Sequence, residues 1–249
     1  MLAERDGLVQ VAVVLAAFAA YEALRAMMTP DWPRALENAR EVASAERMLG
    51  IAWEGTIQDA FLSMPSVVEV FNAFYFVGHF VVSGVFLIWL FRHSRSGFRL
   101  IRDVLLFSTA IAVVVHWAYP TAPPRLADVG LDDTLYVFWN LDIGSPEFHG
   151  WSNPVAAVPS LHAAWAFAVA IGALCYGGRL LRVAGVVYAP LVLLTIVVTG
   201  NHFLLDAAAG LAVLCLGFAA ALALRRRRGR SGVVNGAILD AATRGGAVR

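Results

Sequence analysis

Lysine is absent: all 19 basic residues of this 249-residue chain are arginine. That excludes Schiff-base chemistry and any lysine clamp on a phosphate, and leaves planar guanidinium groups as the fixed cations. Charge of either sign is scarce, 15% of residues against about 25% in a soluble domain. With 59% hydrophobic residues and a mean hydropathy of +0.69, the chain reads as an integral membrane protein. Cysteine is limited to Cys175 and Cys215. Both fall in apolar stretches and are expected to be inert packing residues, not a disulfide. The net charge of +1 argues neither for nor against nucleic acid, and none is expected as a partner. The opening residues lack the basic start and small-residue cleavage site of a secretory leader, so Leu8–Met28 is expected to be retained.

Crossing a bilayer takes about 20 apolar residues, and six stretches qualify: roughly 8–28, 65–91, 101–119, 159–176, 181–199 and 203–224. The expected fold is therefore all-α, a polytopic six-transmembrane-helix bundle. Residues 1–29 hold the first span, 65–224 a five-helix core, and 225–249 a basic tail expected to be disordered and cytoplasmic. Between the first two spans, 30–64 is too polar to cross, with Asp31, Glu37, Glu41, Glu46, Glu54 and Asp59. The spacing of Leu36, Met48, Leu49, Ile51 and Trp53 predicts amphipathic helices lying at the interface.

Arginine placement sets the orientation. Arg92, Arg95, Arg99 and Arg102, then Arg179 and Arg182, then the Arg225–Arg228 run with Arg230 fall on one side of a six-span bundle. The positive-inside rule makes that side cytoplasmic. Both termini are then cytoplasmic, and 30–64, the 120–158 loop and the Gly200-Asn201 turn face outward from a plasma membrane, expected to be bacterial. Tyr136, Phe138, Trp139, Phe148 and Trp151 suit the loop to the headgroup level.

In such a chain the costly residues are the ionisable ones at helix ends. Val158-Pro159-Ser160-Leu161-His162 opens one apolar stretch, and Gly200-Asn201-His202 with Asp206 opens another; a helix, a short turn and a return helix bring both histidines to one outer level. His202 and Asp206 share a helix face. The carboxylate can take one imidazole hydrogen and leave the other nitrogen as nucleophile or base; the plainer reading is a helix-stabilising polar pair. Pro159 suits a first helical position, and the free amides and Ser160 hydroxyl can hold an anion. His162 can then protonate a leaving oxygen, or simply sit at the interface beside a cap. Arg125 can grip phosphate through two hydrogen bonds or snorkel to the surface. A zinc site from His162, His202 and Asp206 has no support beyond the i,i+4 pair, and neither metal nor cofactor is expected. Asn72, Tyr75, His79 and Ser83 share one face of the second span. They read either as a headgroup pocket or as interhelical hydrogen bonding, the latter favoured for Ser83.

Arg125, Pro159-Ser160-Leu161-His162 and His202-x-x-x-Asp206 resemble the three signature motifs of the type 2 phosphatidic acid phosphatase (PAP2) superfamily. The chain departs from the usual pattern: Ala118 stands where a lysine is common, Leu126 replaces a proline, and Thr195-Ile196 replace Ser-Arg. Tyr119 through Arg125, Asn153 through His162 and Val198 through His202, with Glu54, Gln58, Asn72, Tyr75 and His79 upstream, resemble the inositol-phosphotransferase-like branch, which includes fungal inositol phosphorylceramide synthase.

The resemblance implies a metal-independent phosphatase or phosphotransferase. His202 would form a phosphohistidine, Asp206 would orient it, and His162 would be the general acid. Arg125 and Ser160 would bind phosphoryl oxygens, and Asn72, Tyr75 and His79 would shape a headgroup pocket. Expected partners are a lipid phosphate or phospholipid, the bilayer, and a polyol or sugar acceptor. The rival reading is a non-catalytic lipid-phosphate carrier or flippase of the same fold, which would need Arg125 but not His162.

Overall fold

A computed structural model of the chain describes residues 2–27, 29–142 and 153–245. Phe148 and Trp151 lie outside the described residues. Regular structure among those described is helical: α1 (Leu2–Ala26), α2 (Trp32–Leu49), α3 (Glu54–Leu62), α4 (Pro65–Ala73), α5 (His79–His93), α6 (Arg95–Ala118), α7 (Thr134–Trp139), α8 (Leu161–Tyr176), α9 (Arg179–Val198) and α10 (Leu204–Gly245). A π-helical turn, Phe74–Gly78, joins α4 to α5. The backbone stays helical through the arginine run, where the sequence suggested disorder.

Local chemistry sets the helix ends. Asp31, Ser94, Asp133 and Ser160 each precede a helix and accept a backbone N–H from its first turn. Ser160 is thus the cap of α8, and Pro159 lies outside the helix, not at its first position as expected. Gly50, in the left-handed region at φ 70°, ends α2.

Four helical stretches are long and apolar enough to cross a bilayer: Asp6–Arg25, Pro65–His93, Arg179–Val198 and Leu204–Arg227. The other two expected spans are helices of different character. α6 carries Arg95, Arg99, Arg102 and Asp103 near its start. α8 has 16 residues, a rise of about 24 Å, short of the ~30 Å hydrocarbon core.

α8 is the centre of the bundle. Its alanines (Ala163, Ala164, Ala166, Ala168, Ala170 and Ala173) are buried against α5, α6, α9 and α10. Side chains this small let helix backbones approach closely, the usual source of helix affinity in lipid. Cys175 and Cys215 are free and exposed on the outside of the bundle, so they are not the core packing residues expected. A surface that meets lipid can be as apolar as a core.

In the 30–64 segment Met48, Leu49 and Trp53 are exposed. The opposite stripe of α2 (Ala35, Asn38, Ala39, Ala43 and Glu46) is buried. It packs on Ala122, Ala127, Val155 and Phe203, so α2 roofs the loops that carry the motifs.

α10 passes close to the start of α8 at Gly210. A Cβ at Gly210 would lie 2.4 Å from the Ser160 carbonyl oxygen. Gly210→Val should therefore lower thermal stability by about 1–3 kcal/mol, the usual cost of overpacking. Thermal unfolding of purified protein in detergent is the measurement, and an unchanged midpoint would refute this seating.

Candidate active site

The turn between α9 and α10 positions His202. Gly200 takes φ 65°, and a Cβ there would meet the Asp132 carbonyl oxygen at 2.7 Å. The resulting sharp turn delivers His202 two residues before α10 begins. His202 Nδ1 lies 3.2 Å from Asp206 Oδ2 and 3.1 Å from the Ala157 carbonyl oxygen. Both partners are acceptors, so Nδ1 carries the hydrogen and the ring's lone pair is at Nε2. The same Asp206 oxygen accepts from Phe203 N at 2.9 Å, and Ser160 N donates to the Asp206 carbonyl at 2.9 Å. The starts of α8 and α10 are thereby tied together.

His162 sits in an aromatic socket built by the second span. Tyr75 stacks on it at 4.4 Å between ring centroids, His79 lies at 4.9 Å, Phe80 meets it edge-on at 5.4 Å, and the His202 ring is 5.8 Å away. Tyr75 belongs to the π-helical turn, where the ordinary i→i−4 pattern is broken. His162 Nε2 and Asp206 Oδ1 are buried without a hydrogen-bonding partner. Two such atoms beside a tautomer-fixed imidazole mark polar capacity that a ligand would fill.

Arg125 is held by both ends. Its backbone N donates to the Gly200 carbonyl at 2.9 Å, its Nε donates to Asn201 Oδ1 at 3.0 Å, and its Nη1 pairs with Asp133. Asp133 also caps α7. The guanidinium is buried and partly neutralised by Asp133. Ser160, fully buried, accepts from Ala163 N through its hydroxyl oxygen at 3.3 Å; its hydroxyl hydrogen remains to donate.

The second-span stripe divides. Asn72 Nδ2 donates to the Thr134 carbonyl at 3.0 Å and its Oδ1 accepts from Thr134 Oγ1 at 2.7 Å, a clamp between α4 and α7. Ser83 Oγ is 3.2 Å from the Tyr188 hydroxyl, which is 2.8 Å from His79 Nδ1. Tyr75 and His79 therefore face His162, whereas the Asn72 amide is engaged at both ends. Among the described residues, no three His, Cys, Asp or Glu side chains are placed to hold one metal ion.

Sequence reasoning missed Asp133, Tyr188 and the buried faces of α2 and α3. Gln58 Nε2 donates to the carbonyls of Val198 and Asp132, both at 3.0 Å, and its Oε1 accepts from Asp132 N at 2.8 Å. Glu46 and Glu54 are buried and accept from the first amides of α10. The Ala35–Ala39–Ala43 spacing, continued to Glu46, was the available signal.

A protein-family model described as the PAP2 superfamily matches residues 40–220. No curated protein and no solved structure matches the chain. The matched region begins inside α2 and so takes in Glu46 and Glu54 together with the three motif segments.

Burial pushes the Glu46 carboxyl up to about 8, with the Glu54 and Asp206 carboxylates acting in the same direction and the Leu205 amide against them. Between the ordinary 4.5 and about 8, the folded chain holds a proton that the unfolded chain releases. This group's contribution to stability is therefore complete below 4.5 and is lost as pH rises to about 8. Thermal unfolding followed from pH 5 to 9 should show that decline, by at most about 1.4 kcal/mol per pH unit, and Glu46→Gln should flatten it. A slope unchanged by Glu46→Gln would refute it.

Proposed function

The chain belongs to the PAP2 superfamily, and from that premise we propose that it is a phosphatase or phosphotransferase for a lipid phosphate, working through a phosphohistidine. Superfamily membership itself suggests a phosphatase-type activity on lipid phosphate. The observation that carries the mechanism is the pairing of two unlike imidazoles. His202 has its hydrogen fixed at Nδ1 by two acceptors, and His162, 5.8 Å away ring to ring, has a buried Nε2 with no partner.

In this reading His202 Nε2 attacks phosphorus and the bond from phosphorus to the lipid oxygen breaks. His162, protonated at Nε2, gives its proton to that oxygen. Water or an alcohol then attacks phosphorus, breaking the P–N bond and giving up its proton to His162. Catalysis of such a transfer is largely positioning and charge stabilisation. In this reading the guanidinium of Arg125 and the hydroxyl of Ser160 supply the donors. An alcohol acceptor, an inositol- or sugar-type polyol, fits the branch-like segments Tyr119–Arg125 and Val198–His202 and the absence of lysine. Tyr75 and His79 then border the headgroup space, and Asn72 anchors it from behind.

The carrier reading explains Arg125 but gives no use for a fixed His202 tautomer beside an unpartnered His162. Turnover of phosphatidic acid in mixed micelles should disappear in His202→Ala and His162→Ala, and acid-labile phosphate should be trapped on the native chain alone. Full turnover by His202→Ala would overturn the mechanism, and lipid movement without phosphate release would favour the carrier. Adding inositol or glucose to the same assay distinguishes transfer from hydrolysis.

The membrane arrangement we propose has six spans, α6 and α8 included, with both termini cytoplasmic and the site facing outward from a bacterial plasma membrane. In support, Arg225 donates to the Ser96 carbonyl and Arg95 pairs with Asp6 at 3.7 Å, so the arginine-rich ends gather at one end of the bundle. A single cysteine at the exposed Asp128, in a cysteine-free background, should react in whole cells with an impermeant maleimide, and one at the exposed Arg179 should not. Labelling at position 179 from outside would reverse the orientation.

A further inference from the structure

The first turn of α10 is held in a way the proposed reaction does not use. Amides at a helix start carry positive partial charge and take whatever acceptor is present. α2, α6, α7 and α8 each use the side chain just before the helix. α10 is preceded by Phe203, which has no acceptor, and three carboxylates do the work instead. Phe203 N donates to Asp206 Oδ2 at 2.9 Å, Leu204 N to Glu54 Oε1 at 2.8 Å and Leu205 N to Glu46 Oε1 at 2.7 Å. Glu46 and Glu54 reach in from α2 and α3, 159 and 150 residues away in sequence. Their exposures are 1% and 3%, and the two carboxyls are close enough for Glu54 to help raise the pKa of Glu46.

Burying carboxyl groups beside a third is expensive unless geometry repays it. The gain here concerns Asp206. Its Oδ2 already serves both His202 and Phe203 N, and its Oδ1 is buried without a partner. Should the Leu204 and Leu205 amides lose their acceptors, Asp206 is the remaining carboxylate at that turn, and two orphaned donors would draw it off the imidazole.

We propose that Glu46 and Glu54 are positioning residues for the His202–Asp206 pair: by occupying the Leu204 and Leu205 amides they keep the Asp206 carboxylate on His202 Nδ1. Their catalytic consequence rests on His202 being the nucleophile; their effect on the His202 tautomer does not.

The test uses the full chain in detergent, with Glu46→Gln, Glu54→Gln, Glu46→Ala and Glu54→Ala. One readout is the ring 15N spectrum of histidine-labelled protein, the His202 signals being assigned by their loss in His202→Gln. The other is kcat and KM on phosphatidic acid in mixed micelles. Glutamine keeps an oxygen that accepts from the amide, so both glutamine variants should retain a single Nδ1–H tautomer and near-native kcat. The alanine variants should show tautomer averaging and a kcat lower by about a hundredfold, the scale of a misplaced reacting group, with KM little changed. A native His202 tautomer in both alanine variants overturns the proposal, as does tautomer averaging in the glutamine variants equal to that in the alanine ones. If an alanine variant does not fold, Glu54→Asp retracts the same carboxylate by one methylene. Partial averaging then supports the proposal, and native values on both readouts overturn it. Should the native chain release no phosphate from phosphatidic acid, the tautomer spectra alone decide this inference, while the failed turnover counts against the proposed reaction.

Discussion

Backbone groups that water cannot reach must find partners inside the protein, and that requirement organises everything around the two histidines. The loops that carry the motifs are irregular and enclosed, so their N–H and C=O groups cannot be satisfied by a ladder of their own. The polar side chains of the 30–64 segment satisfy them. Asn38 donates to the Pro120 carbonyl at 2.7 Å, Gln58 bridges Asp132 and Val198, and Glu46 and Glu54 take the first amides of α10. Even the α2 backbone takes part, the Ala35 carbonyl accepting from Ala122 N at 3.0 Å. The segment too polar to cross the membrane is therefore the inner lining of the site's roof.

This arrangement explains why the two histidines differ although both stand at helix starts. His202 is fixed by hydrogen bonds to acceptors on its own chain segment and on the loop before α8. His162 is fixed mainly by ring packing from the second span. Hydrogen bonding to a carboxylate favours a basic, tautomer-fixed imidazole. An aromatic socket leaves one nitrogen uncommitted, and His162 Nε2 is indeed buried without a partner. Under the proposed mechanism, the division of labour between nucleophile and acid follows from which neighbours each helix start meets.

What could be read from the sequence follows the same logic. The His202–Asp206 pair was legible from its i,i+4 spacing, although the Gly200 turn, not α10 itself, carries His202. The convergence of Arg125, Ser160 and His202 was legible because short turns and helix lengths fix it. The roles of Glu46 and Glu54 were not, because glutamates in a polar segment look solvated until the segment's docking face is known. Asp133 was missed for a related reason: it caps its own helix, and nothing local shows that Arg125 folds back onto it. The stripe on the second span was correctly placed on one face, but which members meet a ligand and which clamp a neighbour depends on α7 and α9. Only packing could separate Asn72 from Tyr75.

The shortness of α8 ties the roof to the chemistry. Tyr176, at its far end, packs within 2.8 Å of where a Gly97 side chain would begin, level with the arginine-rich end of the bundle. From there 16 helical residues rise about 24 Å, some 6 Å less than a typical hydrocarbon core. On the proposed orientation, His162 is then recessed below the outer edge of the apolar layer, not level with the headgroups. Under the proposed reaction, a lipid phosphate would have to come down to it, or enter from the side, past α2 and α3. The acceptor in the second half of that reaction would then depend on what the roof admits. The motif histidines are the same for water and for an alcohol, so on this reading discrimination falls to the polar faces of α2, α3 and α7 that close over them.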